Sequence, residues 1–198
     1  CQLCTYLGFN DRIDKFIEEG PQKLFCPSCY KDARKAIEAL GFKVHAYSDF
    51  LKQKEKNVIQ SILDSTTIES IPGYKIDSIP VGEHALAGAL RFMTRSSLPD
   101  TGQGRDVLKR YFEAALKTTL VTQNLLQQND FDCVVAHHGI YVPQGLIVQT
   151  ARANSVRVVS WNVAYRAKTF VFSHGDSYHH TMIDEPVSEW QQLEWDQQ

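Results

Sequence analysis

The chain has 198 residues, of which 43% are hydrophobic, and its 21 basic and 23 acidic side chains give a formal net charge of −2. This is the composition of a globular protein with a substantial core, in one domain or one domain with a small appendage. The near-neutral charge argues against a general affinity for nucleic acid or an anionic membrane surface. No apolar run reaches the roughly 18 residues needed to span a bilayer.

Four of the five cysteines lie in the first 30 residues, which show no regular pattern. Their spacing, C-x2-C-x21-C-x2-C, lets two pairs of thiolates bind one tetrahedral ion and so predicts a structural zinc site. Two disulfides in a secreted protein, an iron–sulfur cluster and free thiols are alternatives that the spacing leaves open. Cys133 lies in an apolar run and is expected in the core. The predicted zinc ligands are Cys1, Cys4, Cys26 and Cys29.

Residues 31–198 alternate helical and strand patterns, which predicts an α/β domain. The strongest helix signal is at 106–128, where apolar residues recur every three or four positions. Strands are expected where a short apolar run precedes a turn, as in "FDCVVAHH". The other predicted helices are 31–40, 48–65, 84–94 and 144–154, and the predicted strands are 42–48, 131–138, 156–162 and 168–174.

The order of these elements, with short connections, predicts a Rossmann-like, mostly parallel sheet with flanking helices, preceded by the small cysteine-rich N-terminal element. Neither GxGxxG nor GxxxxGK[ST] is present, so no motif-defined nucleotide site is indicated. The chain begins at Cys1 without Met and ends in "SEWQQLEWDQQ", which has the spacing of an amphipathic helix. We therefore expect the domain at 31–198 to belong to a longer protein.

Two histidine-rich stretches, "AHHGIYVPQG" and "SHGDSYHH", each follow an apolar strand pattern. In open α/β sheets, ligands bind at the carboxyl ends of the strands, often against the next helix. There Gly139 can turn the backbone sharply, and His138 can act as a base because the pKa of imidazole lies near neutrality. If both strands run parallel in one sheet, His174 reaches the same edge as His138. Asp176 and His179 then follow in the second stretch.

The histidines also have two other interpretations. A single His at a strand end is more often a structural residue that hydrogen-bonds the backbone than a catalytic group. His and Asp together suit zinc or another first-row metal by ligand type. However, the spacing matches no metalloenzyme motif, and adjacent residues such as His137 and His138 point to opposite sides of an extended strand. A metal-free polar pocket is the favoured interpretation.

The stretch "VVAHHGIYVPQGLIVQTARANSVRVVSWNVAYRAKTFVFSHGDSYHHTMIDEP" resembles bacterial capsular or exopolysaccharide biosynthesis proteins, which are glycosyltransferases of the GT-B kind. The shared features, in order, are a strand ending in His-Gly, a helix begun by Pro, a strand giving a Trp, a Tyr-Arg pair and an "FSHGD" turn. The paired cysteines followed by "ARKAIEALGFKVHAYSDFL" are also similar to the opening of that group. The resemblance covers most of the chain and is weakest at 66–104.

The resemblance implies an acceptor-side domain, with the donor-binding domain lying beyond residue 198. The expected ligands are a nucleotide-sugar donor and a saccharide acceptor, and the expected location is the cytoplasm or the periphery of the inner membrane. Sugar transfer needs a base for the acceptor hydroxyl and positive or N–H groups for the departing diphosphate. The implied catalytic residues are His138, His174 and Asp176, and the implied substrate-binding residues are His137, Gly139, Tyr165, Arg166 and His179.

Two other classes of function stay open from the residues alone. One is a metal-dependent hydrolase built on the His and Asp clusters, and the other is a non-catalytic, zinc-stapled module that holds a partner or a polysaccharide. Arg166 is either a fork for phosphate or an exposed charge on a turn. Trp161 and Tyr165 are either stacking platforms for a sugar or buried core aromatics.

Overall fold

The computed structural model describes residues 25–175 together with Ser188 and Gln191. This part of the chain is mixed α/β, with more helix than strand. Within residues 25–175 the predicted helices are present with shifted ends, and so are the strands predicted at 131–138, 156–162 and 168–174. In chain order the elements are α1 (Phe25–Ala39), α2 (Tyr47–Phe50), α3 (Gln53–Ser65), a 3-10 helix (Ile68–Gly73), α4 (Val81–Met93), α5 (Gly102–Gln128), β1 (Cys133–His137), α6 (Gln144–Ala153), β2 (Arg157–Val163) and β3 (Phe170–His174).

The three strands form one sheet in the order β1-β2-β3. β1 and β2 are parallel, with His137 opposite Trp161, whereas β2 and β3 are antiparallel, with His174 opposite Val159. The sheet is therefore small and mixed, and the expected mostly parallel sheet is not what the described residues form. The reason is the connection at 164–169, because a parallel crossover takes about a dozen residues or more and a shorter link turns the chain back antiparallel.

The predicted strand at 42–48 is wrong, since residues 42–46 have no regular structure and Tyr47 begins α2. Side chains of this segment contact helix α5 and the Phe131 ring, and its backbone does not pair with a strand. The Tyr47 hydroxyl lies 3.1 Å from the Thr118 hydroxyl on α5, and the ring of His45 packs edge-on against Phe131. The Asp49 carboxylate accepts a hydrogen bond from the Ala46 amide, which favours a helical turn there.

The helix predicted at 48–65 is interrupted between α2 and α3. The carboxylate of Glu55 accepts a hydrogen bond from the backbone N–H of Lys52 at 2.9 Å, so α3 starts as a separate helix. The helix predicted at 106–128 begins earlier, at Gly102, because the Thr101 hydroxyl accepts a hydrogen bond from the Gly104 amide. Helix α1 likewise begins before the predicted residue 31 and includes Cys26 and Cys29.

The main core lies where α4, α5, α6 and the 3-10 helix meet. Buried side chains at this meeting point include Ile71, Val81, Phe112, Leu116 and Leu146. A smaller cluster, Ala136, Val148, Ala151 and Val158, lies between α6 and one face of the sheet. The strand pair β1–β2, with α6 packed against it, therefore forms a βαβ unit that rests on α4 and α5.

The other face of the sheet is open among the described residues. By the strand register, the side chains on this face alternate with those that contact α6. Four of them remain more than half exposed: Val135, Val163, Phe170 and Phe172.

None of the helices in the described ranges has the length and apolar character needed to cross a membrane.

Candidate functional site

The candidate site is built around the loop that joins β1 to α6. At its start the backbone turns sharply, because both His138 and Gly139 have left-handed backbone conformations, with φ of 64° and 70°. The His138 amide donates to the Trp161 carbonyl at 3.0 Å, and the Gly139 amide donates to the His137 carbonyl at 2.8 Å. The first bond continues the parallel ladder, so His138 is held one residue beyond the end of β1.

Ring side chains form a row along this edge, which we call the histidine row. The rings of His137 and His138 lie 3.6 Å apart between centroids, so the left-handed turn brings together two rings that an extended strand would separate. On one side, His137 lies 4.5 Å from Trp161, its partner across the ladder. On the other side, His138 lies 6.3 Å from Tyr141 in an edge-to-face arrangement. All four side chains are half-buried, so the row is both ordered and reachable.

Two side chains of helix α4, His84 and Arg91, contact the loop that carries the histidine row. They are seven residues apart and share one helix face. The His84 ring is 9% exposed, and its Nδ1 lies 2.5 Å from the carbonyl oxygen of Ile140. Because a carbonyl can only accept, Nδ1 carries the proton and neutral His84 leaves Nε2 unprotonated. The Arg91 guanidinium lies over the Tyr141 ring, 4.4 Å from its centroid. Both contacts fix the loop that carries His138.

Close packing of α6 against α4 completes this support. The Gly145 amide donates to the Tyr141 carbonyl at 2.6 Å. A Cβ atom at Gly145 would lie 2.5 Å from both His84 Nδ1 and the Ile140 oxygen, so only glycine allows the helix start, the imidazole and the loop to meet. Gly139 is similarly enclosed by Val148 and Ser160, each 3.5 Å from where its Cβ would be.

The stability of the fold should depend on pH through His84. Burial lowers the pKa of His84 below its ordinary value of 6.5, against smaller opposing effects of the Ile140 hydrogen bond and of Glu83. The unfolded chain then binds a proton at a pH where the folded chain does not, so stability is full above pH 6.5 and falls as the pH drops below it. Urea unfolding midpoints between pH 7.5 and pH 5 should show this fall.

The variant His84→Gln keeps a hydrogen-bond donor for the loop but cannot take up a proton, so its stability should change less over the same pH range. His45→Gln, which replaces a half-buried imidazole outside the site, is the control and should keep the full pH dependence. A fall that is equally steep in His84→Gln and in the unmodified chain would refute the assignment to His84.

His174 does not share the edge of the histidine row. Because β3 runs antiparallel, its carboxyl end lies beside the amino end of β2, and His174 Nδ1 is 3.3 Å from the guanidinium of Arg157. The expectation that His138 and His174 reach a common edge is therefore wrong. It assumed that β3 continues a parallel sheet. Asp176 and His179, predicted with His174, lie outside the described residues.

Tyr165 and Arg166 lie in the turn between β2 and β3, which follows the carboxyl end of β2 and is therefore at the edge of the histidine row. The Tyr165 side chain is fully exposed, which rules out the core interpretation for this residue. Arg166 is also exposed, and its carbonyl accepts a 2.6 Å hydrogen bond from the Thr169 hydroxyl, which orders the turn. Trp161, half-buried on the open face of the sheet, packs edge-on against Phe170 at 5.7 Å.

Sequence reasoning did not identify His84, Arg91 or Tyr141. Tyr141 stands in the stretch that drew attention to the loop, three residues after His138, which is a signal that could have included it. The spacing of His84 and Arg91 indicates one face of α4, but nothing in it indicates that this face meets a loop more than 40 residues later.

The predicted metal ligands fall largely outside the described residues. Cys1 and Cys4 belong to residues 1–24, the Cys26 side chain is not described, and Cys29 is an exposed free thiol on α1. Within the part of the chain that the structure covers, no three His, Cys, Asp or Glu side chains come together as metal ligands.

Surface cavities of about 330 and 550 Å³ lie along α3, away from the histidine row.

The geometry thus gathers a half-buried imidazole pair, two flanking aromatic rings and an arginine at the carboxyl edge of a parallel strand pair, where α/β proteins bind their ligands. Comparisons of the chain with protein-family models, with curated proteins and with solved structures gave no match.

Proposed function

We propose that the chain is the acceptor-side part of a glycosyltransferase of surface-polysaccharide synthesis, which transfers a sugar from a nucleotide-sugar to an acceptor hydroxyl. The observation that supports this most is the histidine row, because it combines a candidate base with aromatic surfaces at one open edge. The resemblance of the sequence around the row to capsular polysaccharide biosynthesis proteins points the same way.

His138 is the proposed base. In the transfer, the acceptor oxygen forms a bond to the anomeric carbon of the donor sugar while the bond from that carbon to the nucleoside diphosphate breaks, and the hydroxyl proton passes to an imidazole nitrogen. The left-handed turn and the Trp161 carbonyl fix the backbone of His138, and the ring of Tyr141 fixes one side of its imidazole. A base held in this way needs little reorganisation when the acceptor binds.

Trp161 is the proposed surface for the saccharide ring. It lies between His137 and Phe170 on the open face of the sheet, so its ring is held from both sides but remains half-exposed. The apolar faces of sugar rings pack on aromatic side chains, while the sugar hydroxyls need polar partners such as imidazole nitrogens. Trp161 beside His137 offers both.

The donor-binding part is proposed to lie beyond residue 198, and the site would then be a cleft of which this chain forms one wall. In this proposal Tyr165 and Arg166, on the exposed turn at the same edge, face the second wall. The proposed location is the cytoplasm or the periphery of the inner membrane, where a nucleotide-sugar donor is available.

Ligand titration followed by NMR tests the proposal on this chain. Neutral oligosaccharides should shift the backbone amides of residues 137–141 and the indole N–H of Trp161, and Trp161→Leu should abolish these shifts. The matched control is Phe42→Leu, which replaces an exposed aromatic ring outside the sheet. Nucleotide-sugars should bind only weakly, because most of their binding surface is proposed to be elsewhere.

Three results would count against the proposal. Saccharide shifts along α3, where the cavities lie, would place the ligand away from the histidine row. Tight binding of a nucleotide-sugar to this chain would contradict the assignment to the acceptor side. A hydrolytic activity that needs added zinc and is lost on His137→Asn would favour the metal-dependent hydrolase.

A further inference from the structure

Arg91 is a cationic side chain that contacts the histidine row. It lies in the last turn of α4, is exposed, and has its guanidinium carbon 4.4 Å from the centroid of the Tyr141 ring. Tyr141 in turn contacts His138. One aromatic ring therefore separates a permanently charged group from the proposed base.

The charge of Arg91 has no carboxylate partner among residues 25–175. The ion pairs of arginines in this range join Arg34 to Glu38, Arg105 to Asp100 and Arg110 to Glu113. The Arg91 charge acts on rings: besides lying over Tyr141, it opposes the rise that burial causes in the pKa of Tyr111. An arginine stacked on a ring through its planar face keeps the N–H groups at its edge available as donors.

We propose that Arg91 binds an anionic group, a phosphate or a carboxylate, of the ligand that occupies the histidine row. The substrate class is then an acidic saccharide or a sugar phosphate, and not a neutral sugar alone. That the ligand is a saccharide rests on the proposed function, whereas the binding of an anion by Arg91 does not. It gives Arg91 the role for which sequence reasoning had singled out Arg166.

Stacking on Tyr141 is what distinguishes Arg91 from other exposed arginines. A long side chain loses rotamer freedom when it binds a ligand, and this loss opposes binding. The Tyr141 ring restricts the Arg91 guanidinium before any ligand arrives, so less freedom remains to be lost on binding. Arg166, on the exposed β2–β3 turn, has no aromatic ring beneath it among the described contacts.

Calorimetric titration of the full chain tests the inference with four probes: inorganic phosphate, glucose 1-phosphate, glucuronate and glucose. We expect Arg91→Gln to weaken binding of the anionic probes about tenfold, since a charge-assisted hydrogen bond is lost. Tyr141→Leu, which keeps the charge but removes the stacking surface, should give a smaller loss. Comparing glucose 1-phosphate with glucuronate tells which anion the site prefers.

Arg95→Gln is the matched control, because it removes an exposed arginine just beyond the end of α4 and leaves the net charge equal to that of Arg91→Gln. Its binding should equal that of the unmodified chain. Equal losses in the two variants would show a general effect of charge and overturn the inference. Anion binding that is undetectable in the unmodified chain, or unchanged in Arg91→Gln, would overturn it as well.

The same titration separates this inference from the proposed function. Phosphate that binds through Arg91 while no sugar binds would support an anion site and count against the glycosyltransferase. Glucose and its acidic derivatives binding with equal affinity, together with NMR shifts at Trp161 when glucose is added, would support a saccharide site and overturn the role of Arg91.

Discussion

Replacing His138 with asparagine is expected to lower the rate of the proposed sugar transfer by about 10²- to 10⁴-fold, the usual contribution of a positioned general base. Asparagine is the matched replacement because it tolerates the left-handed backbone that His138 adopts, with φ of 64°, whereas alanine would add strain. The unfolding midpoint should therefore stay close to that of the unmodified protein, so the loss reports chemistry and not folding.

Transfer from a radiolabelled nucleotide-sugar, measured across a range of pH with a protein that includes the proposed donor-binding part, is the test. The acid limb of the kcat/KM profile, which reports a base in the free enzyme, should disappear in His138→Asn. His45→Asn removes a half-buried imidazole elsewhere and should leave the profile unchanged. A variant of His138 that keeps both rate and profile would show that another group takes the proton.

The fold was predictable where a local pattern decides the structure. Helix α5 has an apolar residue every three or four positions, and α6 is preceded by Pro143, so both elements were found with only their ends misplaced. The direction of β3 was not predictable from its own residues, because an apolar strand pattern is the same for parallel and antiparallel pairing. The short connection at 164–169 did hold that information, since it cannot cross over the sheet.

The predicted strand at 42–48 failed for a different reason. Its alternation of apolar and polar residues is real, but the contacts it makes are those of His45 with Phe50 and Phe131 and of the Tyr47 hydroxyl with Thr118. Which partners a half-buried segment finds depends on the arrangement of distant elements. A period of two in a short segment therefore does not by itself establish a hydrogen-bonded strand.

Some residues of the candidate site could likewise be predicted from local sequence, whereas others depend on contacts between distant elements. His137, His138 and Gly139 could be found because they stand at the end of a strand and before a helix, which is a local feature. Arg91 and His84 reach the site only because α4 packs against the start of α6, and that contact depends on close approach at Gly145. A sequence shows that a glycine is present, but it does not show which surface needs its missing side chain.

Gly145→Ala is therefore expected to destabilise the protein by about 3 kcal/mol, at the upper end of the usual cost of overpacking a tightly packed contact. The added methyl group would lie 2.5 Å from His84 Nδ1 and from the Ile140 oxygen, so the imidazole, the loop or the start of α6 has to move. Each of these supports the histidine row, so the variant should also lose the saccharide-induced shifts at 137–141 that the proposed function predicts. Urea unfolding measures the first effect and NMR titration the second.

Gly73→Ala is the control, because a Cβ atom there would have no neighbour within 4 Å, and its effect should stay within about 0.5 kcal/mol. A double-mutant cycle with His84→Ala tests the cause. Removing the imidazole opens space for the methyl group, so the double variant should lose less stability than the two single variants lose together. Strict additivity would mean that the clash with the Ile140 carbonyl, and not the contact with His84, sets the cost of a side chain at Gly145.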